Sequence, residues 1–208
     1  RLLEHFYTTR PEGVTNDRYG GVHADFLTSE YQHMGEAEDG AVWENCRGVG
    51  LSFGYNRAEG PGQYLSAAAA LRHLIDVVSR GGRLLLNVGP RADGSLPDQQ
   101  VQCLEGMAAW MDRHRDELIA TAPLGQVEVL DAAEGASSGA PDGHSSGAGW
   151  ARVLARTGCA ALFVDPSVRR VGALPAGYDW ARATMAGGRA RHDGRGVLDI
   201  EAPAGDAP

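Results

Sequence analysis

Ser79-Arg80-Gly81-Gly82-Arg83-Leu84-Leu85-Leu86-Asn87-Val88-Gly89-Pro90 is the stretch on which the reading of this chain turns. Leu84, Leu85, Leu86 and Val88 form an almost unbroken apolar run, as expected of a parallel strand covered on both faces. Upstream, Leu71, Leu74, Ile75 and Val78 recur at i, i+3, i+4, i+7, which predicts a helix that Ser66 can cap. Gly81 and Gly82 stand where such a helix would stop. Downstream, Ser95 and Pro97 open a second helix, with Val101, Leu104, Ala108 and Met111 as its expected buried stripe and Trp110 beside it. Two further strands are expected: Val14–Asn16 after the turn at Pro11–Gly13, and Gly48–Phe53. Strands alternating with helices predict an α/β fold with a parallel sheet and outer helices. Leu2, Leu3, His5, Phe6 and Tyr7 read as the middle of a helix with no cap before it, so the chain is expected to begin inside a larger fold.

The texture changes near residue 122. Strand candidates fall at Gln126–Asp131, Trp150–Arg156, Ala160–Asp165, Tyr178–Met185 and Val197–Glu201, separated by Gly-rich breaks. Short alternating strands between turn signals predict an all-β sandwich. Residues 132–149, rich in Ala, Ser and Gly, are expected to form a flexible hairpin loop. The expected organisation is therefore an α/β domain over 1–121 and a β-sandwich domain over 122–208.

Composition narrows the function classes. The net charge of -8 over 208 residues argues against nucleic acid as a partner, since phosphate binding needs a basic face. All 19 basic residues are Arg; without Lys there is neither a Schiff-base lysine nor a phosphate-loop lysine. The glycines at 81–82 and 89 flank a strand rather than open a helix, so a phosphate cradle is not expected. No apolar run approaches the roughly 18 residues of a membrane span. Cys46, Cys103 and Cys159 are too far apart for a metal site and odd in number, and are expected to be buried free thiols. His23 and His33 lack metal-ligand spacing. No cofactor is expected. The bias toward Ala, Arg and Gly suggests a bacterial genome and leaves the compartment open between cytoplasm and secretion.

Polar residues recur where strands end, which in barrel enzymes is the mouth where chemistry is done. The blocks are Asn16-Asp17-Arg18-Tyr19-Gly20, then Asp25-Phe26-Leu27-Thr28-Ser29-Glu30-Tyr31, then Trp43-Glu44, then Gly50-Leu51-Ser52-Phe53-Gly54-Tyr55-Asn56-Arg57, then the stretch quoted first with Asp93-Gly94-Ser95-Leu96-Pro97 after it. In this order, over residues 11 to about 121, they resemble the second half of a glycoside hydrolase family 29 α-L-fucosidase, with a small loop difference at His33–Ala41. The resemblance implies the C-terminal part of a (β/α)₈-like barrel followed by a β-sandwich that in the family carries one more strand than this chain supplies. It also implies a retaining exo-glycosidase acting on terminal α-linked L-fucose, with a fucosylated oligosaccharide or glycoconjugate as substrate.

Retention needs two carboxyl groups about 5–5.5 Å apart, one attacking the anomeric carbon and one serving as acid then base. By resemblance Glu30 is the acid/base, Arg18 reaches the sugar, and Phe53 packs on the fucose methyl group. The family's nucleophile is an aspartate about forty residues before Glu30, upstream of Arg1, and no aspartate here matches its motif. These residues alone are therefore expected to be inactive without the N-terminal half of the barrel. Read without the resemblance, Glu30 is a solvated carboxylate, Arg18 a brace for Asp17 or a strand end, and Phe53 ordinary core. Trp43 and Trp110 read as core, Tyr55 and Asn56 as loop-shaping residues, and Glu36, Glu38 and Asp39 as a solvated acidic loop. The rival function is a structural or carbohydrate-binding module without activity.

Overall fold

The computed structural model describes residues 1–31, 41–125, 127–132, 150–164, 167–180 and 189–201. It opens with helix α1 (Leu2–Thr9) and a parallel sheet ordered β1-β2-β3, from Leu27–Glu30, Trp43–Gly48 and Gly82–Asn87. Leu27 pairs with Trp43 and Trp43 with Gly82; Glu30 pairs with Cys46 and Cys46 with Leu85. Gly82 is required here because the Trp43 indole lies where a Cβ would stand. Trp43 is 1% exposed and donates from its indole nitrogen to the Arg80 carbonyl.

In the parallel-sheet part, strand positions differ from the sequence expectation in two places. The strand expected at Val14–Asn16 is reduced to a single parallel bridge, Asn16 to Phe26. The Asp25 carboxylate takes the Thr15 backbone N–H at 2.7 Å, a donor that a ladder would otherwise use. The strand expected at Gly48–Phe53 is instead Trp43–Gly48, because Glu44, Asn45 and Arg47 obscure its apolar alternation; after Gly48 the chain leaves the sheet.

Helix α2 (Ala67–Ser79) is capped as expected, with the Ser66 hydroxyl accepting from Ala69 N–H. It is buried on two sides. Ala70, His73 and Val77 belong to one, and Leu71, Leu74, Ile75 and Val78 to the other. Helix α3 (Asp98–Leu118) follows Pro97. Of its expected stripe, Val101, Leu104 and Met111 are half-buried and Ala108 is exposed, while the fully buried positions are Gln100, Cys103 and Leu118, with Met107 and Trp110 half-buried beside them. α3 lies close against α2: a Cβ on Gly106 would sit 2.5 Å from the Ala67 methyl.

Two antiparallel sheets follow. One is ordered β4-β6-β7, from Ala122–Pro123, Ala151–Arg156 and Cys159–Val164. The other is β5-β8-β10-β9, from Glu128–Ala132, Val168–Gly172, Leu198–Glu201 and Arg189–His192. Ala151, Val168, Val171, Leu198 and Ile200 close a common core between them. β5 and β6 lie in different sheets; the loop expected over 132–149 lies, from 133 onward, outside the described residues, as does the acidic loop at Glu36–Asp39. β8 escaped notice because adjacent arginines, Arg169 and Arg170, break its alternation. Tyr178–Trp180 are turn rather than strand, and the remainder of that expected strand is outside the described residues. Cys159, at the turn into β7, is exposed and Cys46 half-buried, so of the three thiols only Cys103 is buried as expected.

The β4-β6-β7 sheet is covered on both faces. Alternation along β6 sends Ala151 to the sandwich core and Leu154 to a second cluster with Ile75, Leu118, Trp110 and Phe163. Beside that cluster, buried Asp76 accepts from Arg152 Nε at 2.6 Å and from Arg80 Nε at 3.3 Å. The Arg72 and Arg152 guanidinium groups both lie over the Trp150 ring, 5.5 and 5.4 Å from its centre. α2 thus serves the parallel sheet on one side and the sandwich on the other. None of the helices is long and apolar enough to cross a membrane among the described residues.

Candidate active site

Period-two alternation along β1 and β2 sorts the site. Asn45 meets α2 through His73, so Trp43, Asn45 and Arg47 face the helices, and Glu44 and Cys46 face the opposite, open side of the sheet. By register, Thr28, Glu44 and Arg83 form one row on that open side, and Glu30, Cys46 and Leu85 the next, nearer the C-terminal end of the strands. Leu85 is 50% exposed. Burial foremost, and then the negative charges of Glu30 and Glu44, raise the Cys46 thiol pKa.

Arg18 leans across the end of β1. Its Nη2 is 2.7 Å from Glu30 Oε1. Its Nε–H donates to the Thr28 hydroxyl at 2.9 Å, and that hydroxyl donates to Asp17 Oδ1 at 2.6 Å. One threonine therefore fixes both neighbours, with Asn16 Oδ1 holding the Arg18 backbone N–H at 3.2 Å. The Thr28 hydroxyl is the largest influence keeping the Asp17 carboxyl below its ordinary pKa. Side chains of Arg18 and Glu30 are about half exposed (53% and 41%), so the pair adds little stability and matters for placement. A second cluster lies farther out. There Asp25 accepts from Tyr7 and from Thr15, and these bonds, Tyr7's foremost, lower its pKa.

The loop after β2 carries Phe53, which is 38% exposed and is not core. Its ring lies 5.0 Å, centre to centre, from that of Tyr31, the residue after Glu30. Tyr31 Oη donates to the Leu51 carbonyl at 3.0 Å, and Asn87 donates to the Phe53 carbonyl. Arg18 and Glu30 are thus in contact, and Phe53 is tied to them through Tyr31. Arg18 does not brace Asp17 directly; Thr28 stands between. Trp43 is core and Trp110 is packed between His114 and Phe163. Asn56 shapes its loop through Ser52 Oγ at 3.1 Å and Ala58 N–H at 3.0 Å.

Sequence reasoning passed over the buried polar group behind this site: Asn45, Arg47 and His73. The available signal was polar residues in period-two phase with Trp43 along a strand, together with a histidine inside an apolar helix stripe.

A family model described as Alpha-L-fucosidase matches residues 2–116. Human plasma alpha-L-fucosidase is 35% identical over 103 residues, covering 47% of this chain and 22% of that protein. An alpha-L-fucosidase of Dictyostelium discoideum is 30% identical over 114 residues, covering 53% of this chain and 25% of that protein. The solved structure of Thermotoga maritima alpha-fucosidase in complex with fucose superposes with a TM-score of 0.66 at 30% identity, covering 97% of this chain and 44% of that one. Alpha-L-fucosidase isoenzyme 1 from Paenibacillus thiaminolyticus, at 19% identity and a TM-score of 0.64, shares the fold. The chain spans 44–50% of the length of these structures and about a quarter of the curated relatives it matches. Its α/β part followed by an all-β sandwich is the arrangement of the C-terminal part of these barrel-plus-sandwich enzymes.

Proposed function

The chain belongs to the α-L-fucosidase family, and from that premise we propose that the protein carrying it hydrolyses terminal α-L-fucosides with retention, using Glu30 as general acid and then base. The observation that carries the reading is Glu30 at the C-terminal end of a parallel strand, held by an Arg18 that Thr28 and Asp17 fix in turn. Glu30 protonates the departing glycosidic oxygen and later deprotonates the attacking water. Arg18 is close enough to exchange its contact with Glu30 for a sugar hydroxyl or the partner carboxylate. Phe53 offers an apolar ring edge to the methyl group of a 6-deoxy sugar, a contact that discriminates modestly against a hydroxymethyl.

The second carboxylate of the retaining pair is an aspartate from the barrel strand preceding Thr15–Asn16, within the N-terminal half of the barrel. The open face of the sheet supports this: Leu85, at 50% exposure, flanks Cys46 and Glu30 where a closed barrel would cover it.

Glu30→Gln in the full-length gene product tests the assignment. Hydrolysis of fucosides with poor leaving groups should fall by about 10²–10⁴-fold, while aryl fucosides with acidic leaving groups should suffer far less in fucosyl transfer to the enzyme. Equal, minor losses on both substrate types remove Glu30 from the acid role.

A further inference from the structure

Behind Glu30, on the helix side of the sheet, Asn45 is wholly buried. Its amide Nδ2 donates to Ser29 Oγ at 3.0 Å and to the Tyr31 carbonyl at 3.3 Å, the residues on either side of Glu30. Its Oδ1 lies 2.8 Å from His73 Nε2 on α2. An amide oxygen only accepts, so His73 carries its proton on Nε2. Its Nδ1 then faces Arg47 Nη1 at 3.5 Å as an acceptor. The backbone these bonds hold is unusual: Tyr31 has φ of 51°, a left-handed conformation that costs any residue with a Cβ. Tyr31 N–H bonds to the Cys46 carbonyl at 3.0 Å, closing the strand end.

From this geometry we propose that Asn45 and His73 are positioning residues for the acid/base. Together they clamp both neighbours of Glu30 and so set the angle at which its carboxyl meets the scissile oxygen. The inference rests on the acid/base reading of Glu30. β1 ends at Glu30, and after the Tyr31 N–H bond to Cys46 the chain turns out of the sheet, so the ladder restrains the carboxylate no further on its C-terminal side. Asn45 replaces that ladder with a side-chain bond reaching across from β2, and His73 fixes which way the amide faces. Both groups are buried on the helix side of the sheet, and the bonds of Asn45 reach Glu30 through Ser29 and Tyr31 on either side of it.

The test uses Asn45→Leu, His73→Leu and His73→Gln in the full-length gene product, assayed on an alkyl fucoside and on an aryl fucoside with an acidic leaving group. A misplacement near 1 Å costs about 10²-fold in rate. Asn45→Leu and His73→Leu should therefore lower kcat on the alkyl substrate by that order, with KM and the aryl rate little changed. His73→Gln, whose amide can donate from the Nε2 position, should recover most of the loss. In a Glu30→Gln background the Asn45→Leu substitution should cost almost nothing more. Parallel losses on both substrates, or equal effects of His73→Leu and His73→Gln, overturn the positioning role and leave only a packing one. If the leaving-group contrast is missing from Glu30→Gln itself, the acid/base reading has failed. If it is present there and absent from Asn45→Leu, only this inference has.

Discussion

The parallel sheet and the antiparallel sandwich treat their two faces differently. The sandwich closes on itself, with Ala151, Val168, Val171, Leu198 and Ile200 all nearly inaccessible between its sheets. The outer face of its four-stranded sheet carries paired charge where Arg170 meets Asp199 at 2.8 Å. The parallel sheet buries only its helix face, and there it buries polar groups as well as Trp43: Asn45, Arg47 and His73. Its other face leaves Leu85 open beside Glu30 and Cys46. The difference shows where a fold can hold chemistry. A face satisfied by its own chain has no group left to act on another molecule, whereas an open face backed by a buried polar scaffold can present a carboxylate and an arginine in fixed positions. α2 joins the two regimes, and its Asp76 is the charge that pins them together.

The comparison can be broken most forcefully at Trp43. Trp43→Ala should cost about 3–5 kcal/mol, since it removes a fully buried indole and leaves Gly82 facing a void. Chemical denaturation followed by tryptophan fluorescence and far-UV circular dichroism reads the loss. If the sandwich is self-sufficient, an early transition should remove helical signal while the β signal persists; a single shifted transition would make the two regions one cooperative unit.

At the joint between them, Asp76→Ala leaves Arg152 and Arg80 facing each other without their shared carboxylate. Breaking a fully buried pair costs about 3–5 kcal/mol. Arg152 is 28% exposed, so the loss here should be nearer 2 kcal/mol. A double-mutant cycle with Arg152→Ala measures the coupling, and a coupling near zero would show that apolar packing of Leu154 and Trp150 alone holds the regions together. The smallest effect belongs to Ser66→Ala, which removes the α2 cap at about 1 kcal/mol. Because α2 serves both regions, the substitution should lower the melting midpoint of both spectroscopic signals together, and a shift confined to one would sharpen the division.

Much of this was legible before any coordinates. The capped helix at 67–79, the strand at its end and the β-rich second half follow from apolar spacing, because periodicity records which face each element buries. What periodicity mis-stated has a common cause. β2 and β8 carry charged or amide side chains whose partners come from elsewhere in the fold, so their alternation is hidden. The Gly106–Ala67 approach is likewise a contact between helices that no single-helix pattern encodes.

The site divides in the same way. The order of its motif blocks singled out Glu30, Arg18 and Phe53, and family membership follows from sequence as well, because local residue choices at strand ends are written directly in the chain. Only the tertiary structure put Arg18 on Glu30, set Thr28 between Arg18 and Asp17, and ran Asn45 from His73 to both neighbours of Glu30. Those bonds join residues from 10 to 28 positions apart. Hydrogen bonds of that kind depend on angstrom-scale register between elements, which is fixed when sheet and helices pack and not by the spacing of residues along any one of them.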